Sequence, residues 1–190
     1  PGLTLYADGH IDNQDSFGGE STDHRVKETY VHFRTGDWDY RLGRQIIAWG
    51  RVDRINPTDN LTPRDFTLLS PATDEERFGT EAVKISKVFG MQSSLTAIWL
   101  VNFKPNQLPP ANTPGFQFTH SIPNDHKQYA LKFDQSGGDI DWSISYFSGI
   151  DLNADLAITG RSGTDLLIEK KYNEVDIFGA DFATIIGSTR

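Results

Sequence analysis

Apolar and polar residues alternate with a period of two along most of this 190-residue chain. In the first such segment, Leu3, Leu5 and Ala7 fall on one face of an extended strand, and Thr4 and Tyr6 fall on the other. The pattern recurs in LTLYADGHID, HRVKETYVHFRT, DWDYRLGRQII, TEAVKISKVFG, SLTAIWLVNF, QYALKFD, IDWSISYF and YNEVDIFGADFAT. No stretch has a convincing helical period. The sequence therefore predicts an all-β protein with about eight strands, each about 8–12 residues long.

The connections between the predicted strands alternate between long and short. Short turns lie around Gly36, Gly90 and Gly137, and long polar connections follow the first, third, fifth and seventh strands. Transmembrane barrels place short turns at one end and long loops at the other, whereas a soluble sandwich has no reason to do so. The alternation favours an antiparallel up-and-down transmembrane β-barrel over a soluble all-β fold.

The composition narrows the choice of partners and chemistry. A formal net charge of −8 and an isoelectric point of about 5.0 argue against nucleic acid as a partner. Cysteine is absent, which excludes a disulfide framework, a Cys-ligated metal and a thiol nucleophile. The histidines lack metal-ligand spacing, and Ser143 and Ser145 lack the Gly-x-Ser-x-Gly elbow of a nucleophile. We therefore predict a protein that is not an enzyme and that needs no metal or other cofactor.

Aromatic residues make up 12% of a chain whose mean hydropathy is only −0.46. Trp38, Tyr40, Trp142 and Tyr146 share the apolar faces and lie near the ends of predicted strands. Aromatic girdles at the two membrane interfaces have this placement. A packed sandwich core could produce a similar pattern, so the faces support the barrel less strongly than the connections do.

The most charged connection is a loop predicted at 48–78, inserted in a single domain that covers residues 1–190. Pro57 and Pro63 interrupt any regular element there. Arginine and aspartate residues are interspersed through this loop and the strand before it. Arginine stays charged and binds a carboxylate or a phosphate through two parallel hydrogen bonds, which suits it to sense charged solutes.

The run YRLGRQIIAWGRVDRINPTDNLTPRDF resembles the early strand and following loop of porin-like barrels from the outer membrane of Gram-negative bacteria. Its LGRQ element is similar to the one at which a porin strand enters its inward-folded third loop. The resemblance is specific over about residues 37–103. It implies a pore-forming barrel in the bacterial outer membrane, in contact with lipid and lipopolysaccharide. Because porins have about 16 strands and an eight-stranded barrel is filled by its own side chains, we expect this chain to form part of a larger barrel.

A loop folded into such a pore would narrow it. Opposed charges across the constriction would then select small solutes or ions by their charge. The candidate constriction residues are Arg41, Arg44, Arg51, Asp53, Arg54, Asp59, Arg64 and Asp65. The same arginine–aspartate pairs could instead hold the loop together, and the two roles are compatible.

The alternation in the third strand raises a question about Arg44. Counting by two from Arg41 turns Arg44 towards lipid, where a charge costs about 2–4 kcal/mol at mid-depth. We expect a β-bulge at Gly43 to reset the register so that both arginines face inward. The alternative places Arg44 at the membrane rim.

The leading functional hypothesis is an outer-membrane channel for passive or charge-biased diffusion of small solutes, constricted by the loop at 48–78. It could act as a homo-oligomer or with other envelope proteins. Two alternatives stay open. One is a structural or partner-binding outer-membrane barrel, which would serve as a sleeve or scaffold. The other is a soluble carbohydrate-binding β-sandwich whose aromatic residues stack on sugars.

Overall fold

The structure is a computed structural model that describes residues 2–16, 19–49, 59–66, 77–108, 114–124 and 127–184, with only the backbone described for 9–16 and 19–25. Within these ranges the chain forms eleven strands and no helix, which confirms the prediction of an all-β protein. The strands are β1 (Gly2–Ser16), β2 (Gly19–Thr35), β3 (Trp38–Gln45), β4 (Thr80–Phe89), β5 (Ser93–Leu100), β6 (Phe116–Ser121), β7 (Gln128–Gln135), β8 (Ile140–Ile150), β9 (Asp155–Ser162), β10 (Asp165–Lys171) and β11 (Glu174–Thr184).

Eight strands form the main sheet in the order β1-β2-β3-β4-β5-β7-β8-β11, and every neighbouring pair is antiparallel. This is the meander that the sequence predicted. No closed barrel, however, forms in the described part of the chain. There β1 pairs only with β2 and β11 only with β8, so these two strands are the edges of an open sheet.

The short turns join β2 to β3, β4 to β5 and β7 to β8 at one end of the main sheet. Each contains a glycine with positive φ, which is 55° at Gly36, 65° at Gly90 and 83° at Gly137. Tight hairpin turns require this conformation, and glycine adopts it without steric cost. The connections after β3, β5 and β8 leave the sheet at its opposite end, as the alternation of lengths predicted.

Two connections that the sequence predicted as loops contain strands instead. They supply β6, β9 and β10, which form a second sheet in the order β6-β10-β9. In this sheet β10 is parallel to β6 and antiparallel to β9. The prediction of about eight strands was therefore too low. These three strands depend on pairing between connections that are distant in the sequence, and such pairing requires no local alternation of apolar and polar residues.

The first predicted loop, NQDSFGGESTD, is also largely strand. The β1–β2 ladder continues to the pair formed by Ser16 and Gly19, with one register shift between Asp8 and Gly9. Backbone hydrogen bonds hold a hairpin together whatever the polarity of its side chains. The polar composition was therefore a poor guide to where these two strands end.

The register lines up apolar side chains on one face of the main sheet, hereafter the apolar face. One row of paired residues runs from β2 to β7 through Val31, Leu42, Val83, Trp99 and Tyr129. The alternation in the sequence predicted this sharing of one face correctly, since successive strand residues point to opposite sides. The residues between them form the opposite face, hereafter the polar face.

The apolar face is exposed. The exposed fraction is 74% for Leu5, 53% for Ile144 and 80% for Phe178, on three different strands. In a protein stabilised by burial of apolar area, such a face normally packs against another layer. The described residues place no second layer on it.

The buried core lies on the polar face instead, near the end where the long connections leave. Three residues of the connection after β3 pack there against residues of four strands. This core consists of Ile47, Trp49 and Leu61 from the connection and Ala82, Ile98, Leu100, Ala130 and Phe147 from the sheet. The described part of the loop predicted at 48–78 therefore covers part of the polar face.

The register of β3 corrects the expectation of a β-bulge at Gly43. Its ladders to β2 and β4 run through Gly43 without a shift, so Arg44 lies on the same side as Leu42. Gly43 has a φ of 128°. A Cβ there would come within 2.5 Å of the carbonyl oxygen of Thr29. Glycine is therefore present because the neighbouring backbone is close, and no bulge turns Arg44 inward.

No helix in the described part of the chain is long and apolar enough to cross a membrane.

Candidate functional site

Hydrogen bonds from side chains hold the start of the connection after β3 in place. The Thr62 hydroxyl accepts from the Ile47 amide and donates to the Ile47 carbonyl oxygen, both at 2.9 Å. The Glu28 carboxylate accepts from the Ile46 amide at 2.7 Å. These contacts hold Trp49 over the sheet, where its ring lies 5.9 Å from the Lys132 ammonium.

Asp59 is the centre of a buried ion network in this connection. Its Oδ2 atom accepts from the guanidinium of Arg64 at 2.9 Å and from that of Arg77 at 2.5 Å. The Asp59 side chain is 2% exposed, and its Oδ1 atom also accepts from the Trp49 amide. A carboxylate enclosed in this way offers no surface to a passing solute, so its contacts fit the role of holding the loop together.

Arg77 is the member of this network that sequence reasoning missed. A backbone bridge sets Arg64 beside Arg77, which brings both guanidinium groups to Asp59. Arg77 is 18 residues from Asp59 in the chain, so no local spacing connects them. Its Nε and Nη1 atoms are buried and have no hydrogen-bond acceptor among the described residues.

Asp65 is fully buried and forms a parallel bridge with Gln107 in the connection after β5. It therefore links two connections. Three other candidate residues, Arg51, Asp53 and Arg54, lie outside the described residues.

Arg44 lies at the edge of the apolar face, on the end with the long connections. Its guanidinium donates to Glu81 through Nε at 3.0 Å and Nη2 at 2.5 Å. The Lys104 ammonium lies 3.7 Å from the same carboxylate. This arrangement corresponds to the rim placement that was the alternative for Arg44. Arg44 therefore lies on the opposite face of the sheet from Arg41.

Arg41, in contrast, lies on the polar face and belongs to a group of cations that the sequence did not single out. It is paired directly with Lys84 on β4, and Lys132 on β7 is a further electrostatic neighbour of Lys84. We call Arg41, Lys84 and Lys132 the basic cluster. The Arg41 Nε atom is buried and has no hydrogen-bond acceptor in the described part of the chain.

Two carboxylates face the basic cluster. Asp39 lies 3.9 Å from Arg41 and accepts hydrogen bonds from His32 at 2.6 Å and Arg34 at 3.0 Å. Asp134 pairs with Lys132 at 2.9 Å. Opposed charges thus lie side by side on this face, and the field between them can discriminate among charged solutes. The period-2 pattern had placed Lys84 and Lys132 on the polar side, but their proximity depends on sheet order.

The described residues contain no group of three or more histidine, aspartate or glutamate side chains placed to hold a metal ion. Comparisons with protein-family models, with curated proteins and with solved structures give no match for this chain. The resemblance of residues 37–103 to porin-like barrels therefore stays a prediction.

Proposed function

We propose that this chain is part of the wall of a porin-like outer-membrane barrel, which lets small solutes or ions diffuse with a bias set by their charge. The observation that carries this proposal is the polarity of the main sheet. Its apolar face exposes Val31, Leu42, Trp99 and Tyr129 in the row from β2 to β7, and its charged face is partly covered by a folded loop. Contact with lipid would remove an apolar face of this size from water without a second layer of protein.

The dimensions of the apolar face support contact with a membrane. Tyr129 pairs with Trp99 near one edge of the face, and Gln135 pairs with Trp142 near the other. Six residue steps in β7 separate these rows, which at about 3.4 Å per residue is about 20 Å along the strand. The apolar band of outer-membrane barrels is about 25 Å tall and is bordered by aromatic residues on both sides.

A lysine at the edge with the short turns fits the same surroundings. The Lys87 ammonium lies 5.0 Å from the ring centres of both Trp38 and Phe89. Long cationic side chains at membrane interfaces keep their apolar stems in the lipid and extend their charge towards the headgroups. Arg44 and Glu81 have the corresponding position at the other edge.

The open edges of the sheet support the expectation of a larger barrel. Unpaired backbone groups of β1 and β11 would be costly in lipid, because no water is present to bind them. Further strands that pair with both edges would close the wall. A barrel larger than eight strands also leaves a lumen, which a conducting pore requires.

The two alternative functions, a carbohydrate-binding sandwich and a scaffold barrel, agree with this sheet to different degrees. A carbohydrate-binding sandwich is disfavoured, because its apolar face would be buried between two sheets. A sleeve or scaffold barrel would have the same wall as a channel, and it differs only in conducting no solutes. Conductance in a planar bilayer is therefore the measurement that separates the channel from the scaffold.

The basic cluster provides the first prediction. Replacing Arg41, Lys84 and Lys132 together with glutamine should shift the reversal potential under a salt gradient towards cation selectivity, because three positive charges are removed from the proposed pore wall. The shift should shrink at high salt, since the screening length falls from about 10 Å at 0.1 M to about 3 Å at 1 M.

Lys87→Gln is the matched control for this experiment. It removes the same charge from the same strand as Lys84→Gln but from the apolar face, so it should leave the reversal potential unchanged. Equal shifts from Lys84→Gln and Lys87→Gln would contradict a pore lined by the polar face. Absence of any conductance from the intact protein would favour the scaffold.

The second prediction concerns the two ends of the sheet. The chain has no cysteine, so Met91→Cys and Ser162→Cys each introduce a single thiol, at a short turn and in a long connection. In intact cells a membrane-impermeant maleimide should label Ser162→Cys, whereas Met91→Cys should react only after the outer membrane is opened. The reverse order would refute this orientation, and equal labelling in intact cells would argue against insertion.

A further inference from the structure

A cavity of about 450 Å³ lies where the three long connections meet. Cavities that bind small molecules have volumes of about 300–1,000 Å³. The cavity is separate from the basic cluster, and it is lined by Phe78, Lys104, Pro105, Asn106, Gln107, Leu108, His120, Lys170 and Tyr172.

The described charged residues that line the cavity are basic, although the chain as a whole carries a net charge of −8. Lys104 and Lys170 line it, and none of the described lining residues is acidic. Lys104 is 41% exposed and only 3.7 Å from Glu81. Lys170 forms no ion pair with a described residue, and its ammonium lies 5.0 Å from the ring centre of Phe118. At least one lysine is therefore available to an anion.

Flat rings line another side of the cavity. The rings of His120 and Tyr172 are almost parallel, with an interplanar angle of 4° and centres 6.5 Å apart. Phe103 packs edge-on against Tyr172 at 5.3 Å and holds it in place. Burial raises the pKa of the Tyr172 hydroxyl above its ordinary value, so at neutral pH the hydroxyl stays a donor. Phe78 and Leu108 add apolar surface.

Hydrogen bonds between the connections form this cavity before any ligand is bound. The Asn106 amide donates to the Leu152 carbonyl oxygen at 3.0 Å, and the Gln107 amide donates to that of Arg64 at 2.8 Å. The Tyr172 amide donates to the Ser121 carbonyl oxygen at 2.9 Å. A preformed site of this kind loses little conformational entropy when it binds.

We propose that this cavity binds a small aromatic carboxylate. The carboxylate lies between Lys104 and Lys170, and the ring lies against His120 and Tyr172. Cations recognise the charge and flat rings recognise the ring, so the site requires both features in one ligand. A small aromatic carboxylate bound here would be a solute at the mouth of the proposed channel, but binding itself does not require conduction.

Benzoate is the probe for this site, and its dissociation constant is measured by NMR titration of the whole protein in detergent micelles. Lys170→Ala should weaken benzoate binding about tenfold, because one charge-assisted hydrogen bond is lost. Lys170→Arg should restore most of it. The matched control is Lys171→Ala, which removes the neighbouring exposed lysine of β10 from outside the cavity and should leave binding unchanged.

Two comparison ligands test the two halves of the proposal. Benzyl alcohol has the ring without the charge, and cyclohexanecarboxylate has the charge without a flat ring. Both should bind more weakly than benzoate. Equal affinity for either one would overturn the proposal, as would equal losses in Lys170→Ala and Lys171→Ala. A protein that binds benzoate but does not conduct would refute the channel and leave this site standing.

Discussion

Asp59→Asn should lower the free energy of unfolding by about 3–5 kcal/mol, which is the usual cost of removing one partner from a buried ion pair. The substitution keeps the size of the side chain but removes the buried carboxylate to which Arg64 and Arg77 both donate. Asp59→Asn therefore removes the negative charge that lies between these two cations. The measurement is denaturant unfolding of the protein in detergent micelles.

Asp37→Asn is the control for Asp59→Asn. Asp37 lies exposed in the turn between β2 and β3, so the same chemical change there should alter stability by no more than about 0.5 kcal/mol. If Asp59→Asn proves as mild as Asp37→Asn, the network does not hold the loop. A shift of ion selectivity with unchanged stability would instead favour the constriction role that the sequence left open for Asp59.

Leu131→Arg should cost about 2–4 kcal/mol of folding free energy in lipid vesicles, because it places a charge in the middle of the proposed lipid-facing band. Leu131 is 45% exposed on the apolar face, between Ala97 and Tyr146 on the neighbouring strands. The measurement is the free energy of folding into vesicles, from denaturant titration.

Ser94→Arg is the matched variant on the polar face. Ser94 pairs with Asp134 across the sheet, so a new arginine there finds a carboxylate nearby and should cost less than about 0.5 kcal/mol. Equal costs at Leu131 and Ser94 would mean that the two faces do not differ in their surroundings. That result would remove the main support for a membrane barrel.

Much of the main sheet could be predicted because its signals are local. Side chains alternate along each strand, so the sequence correctly assigned Leu42 and Val83 to one face and Arg41 and Lys84 to the other. Gly36, Gly90 and Gly137 marked tight turns, since these turns need positive φ. None of these inferences requires knowledge of a distant part of the chain.

The second sheet could not be predicted in this way. Ile168 pairs with Phe118 on one side and with Ile158 on the other, and Phe118 lies 50 residues earlier in the chain. The parallel pair brings together two long connections whose composition suggested loops. Strand propensity depends strongly on such partners, so a segment whose partner is unknown gives a weak signal.

For the candidate site, too, local features could be predicted from the sequence and contacts between distant residues could not. The loop after β3 was recognised from its charges and prolines, but the sequence did not reveal which partners its described charges have. Arg44 faces the edge of the apolar side, and Asp59 and Arg64 are paired inside the loop. The charges that share the polar face with Arg41 come instead from β4 and β7, as Lys84 and Lys132.

By itself, the sequence determined the all-β class, the short turns and the two faces of the strands, because each depends on neighbours within a few residues. Only the tertiary structure decided which charges meet. Asp59 reaches Arg77 and Arg41 lies beside Lys84 because of the path of a long connection and the order of the strands. Ion pairs between distant residues follow from that path, and no periodicity in the sequence encodes it.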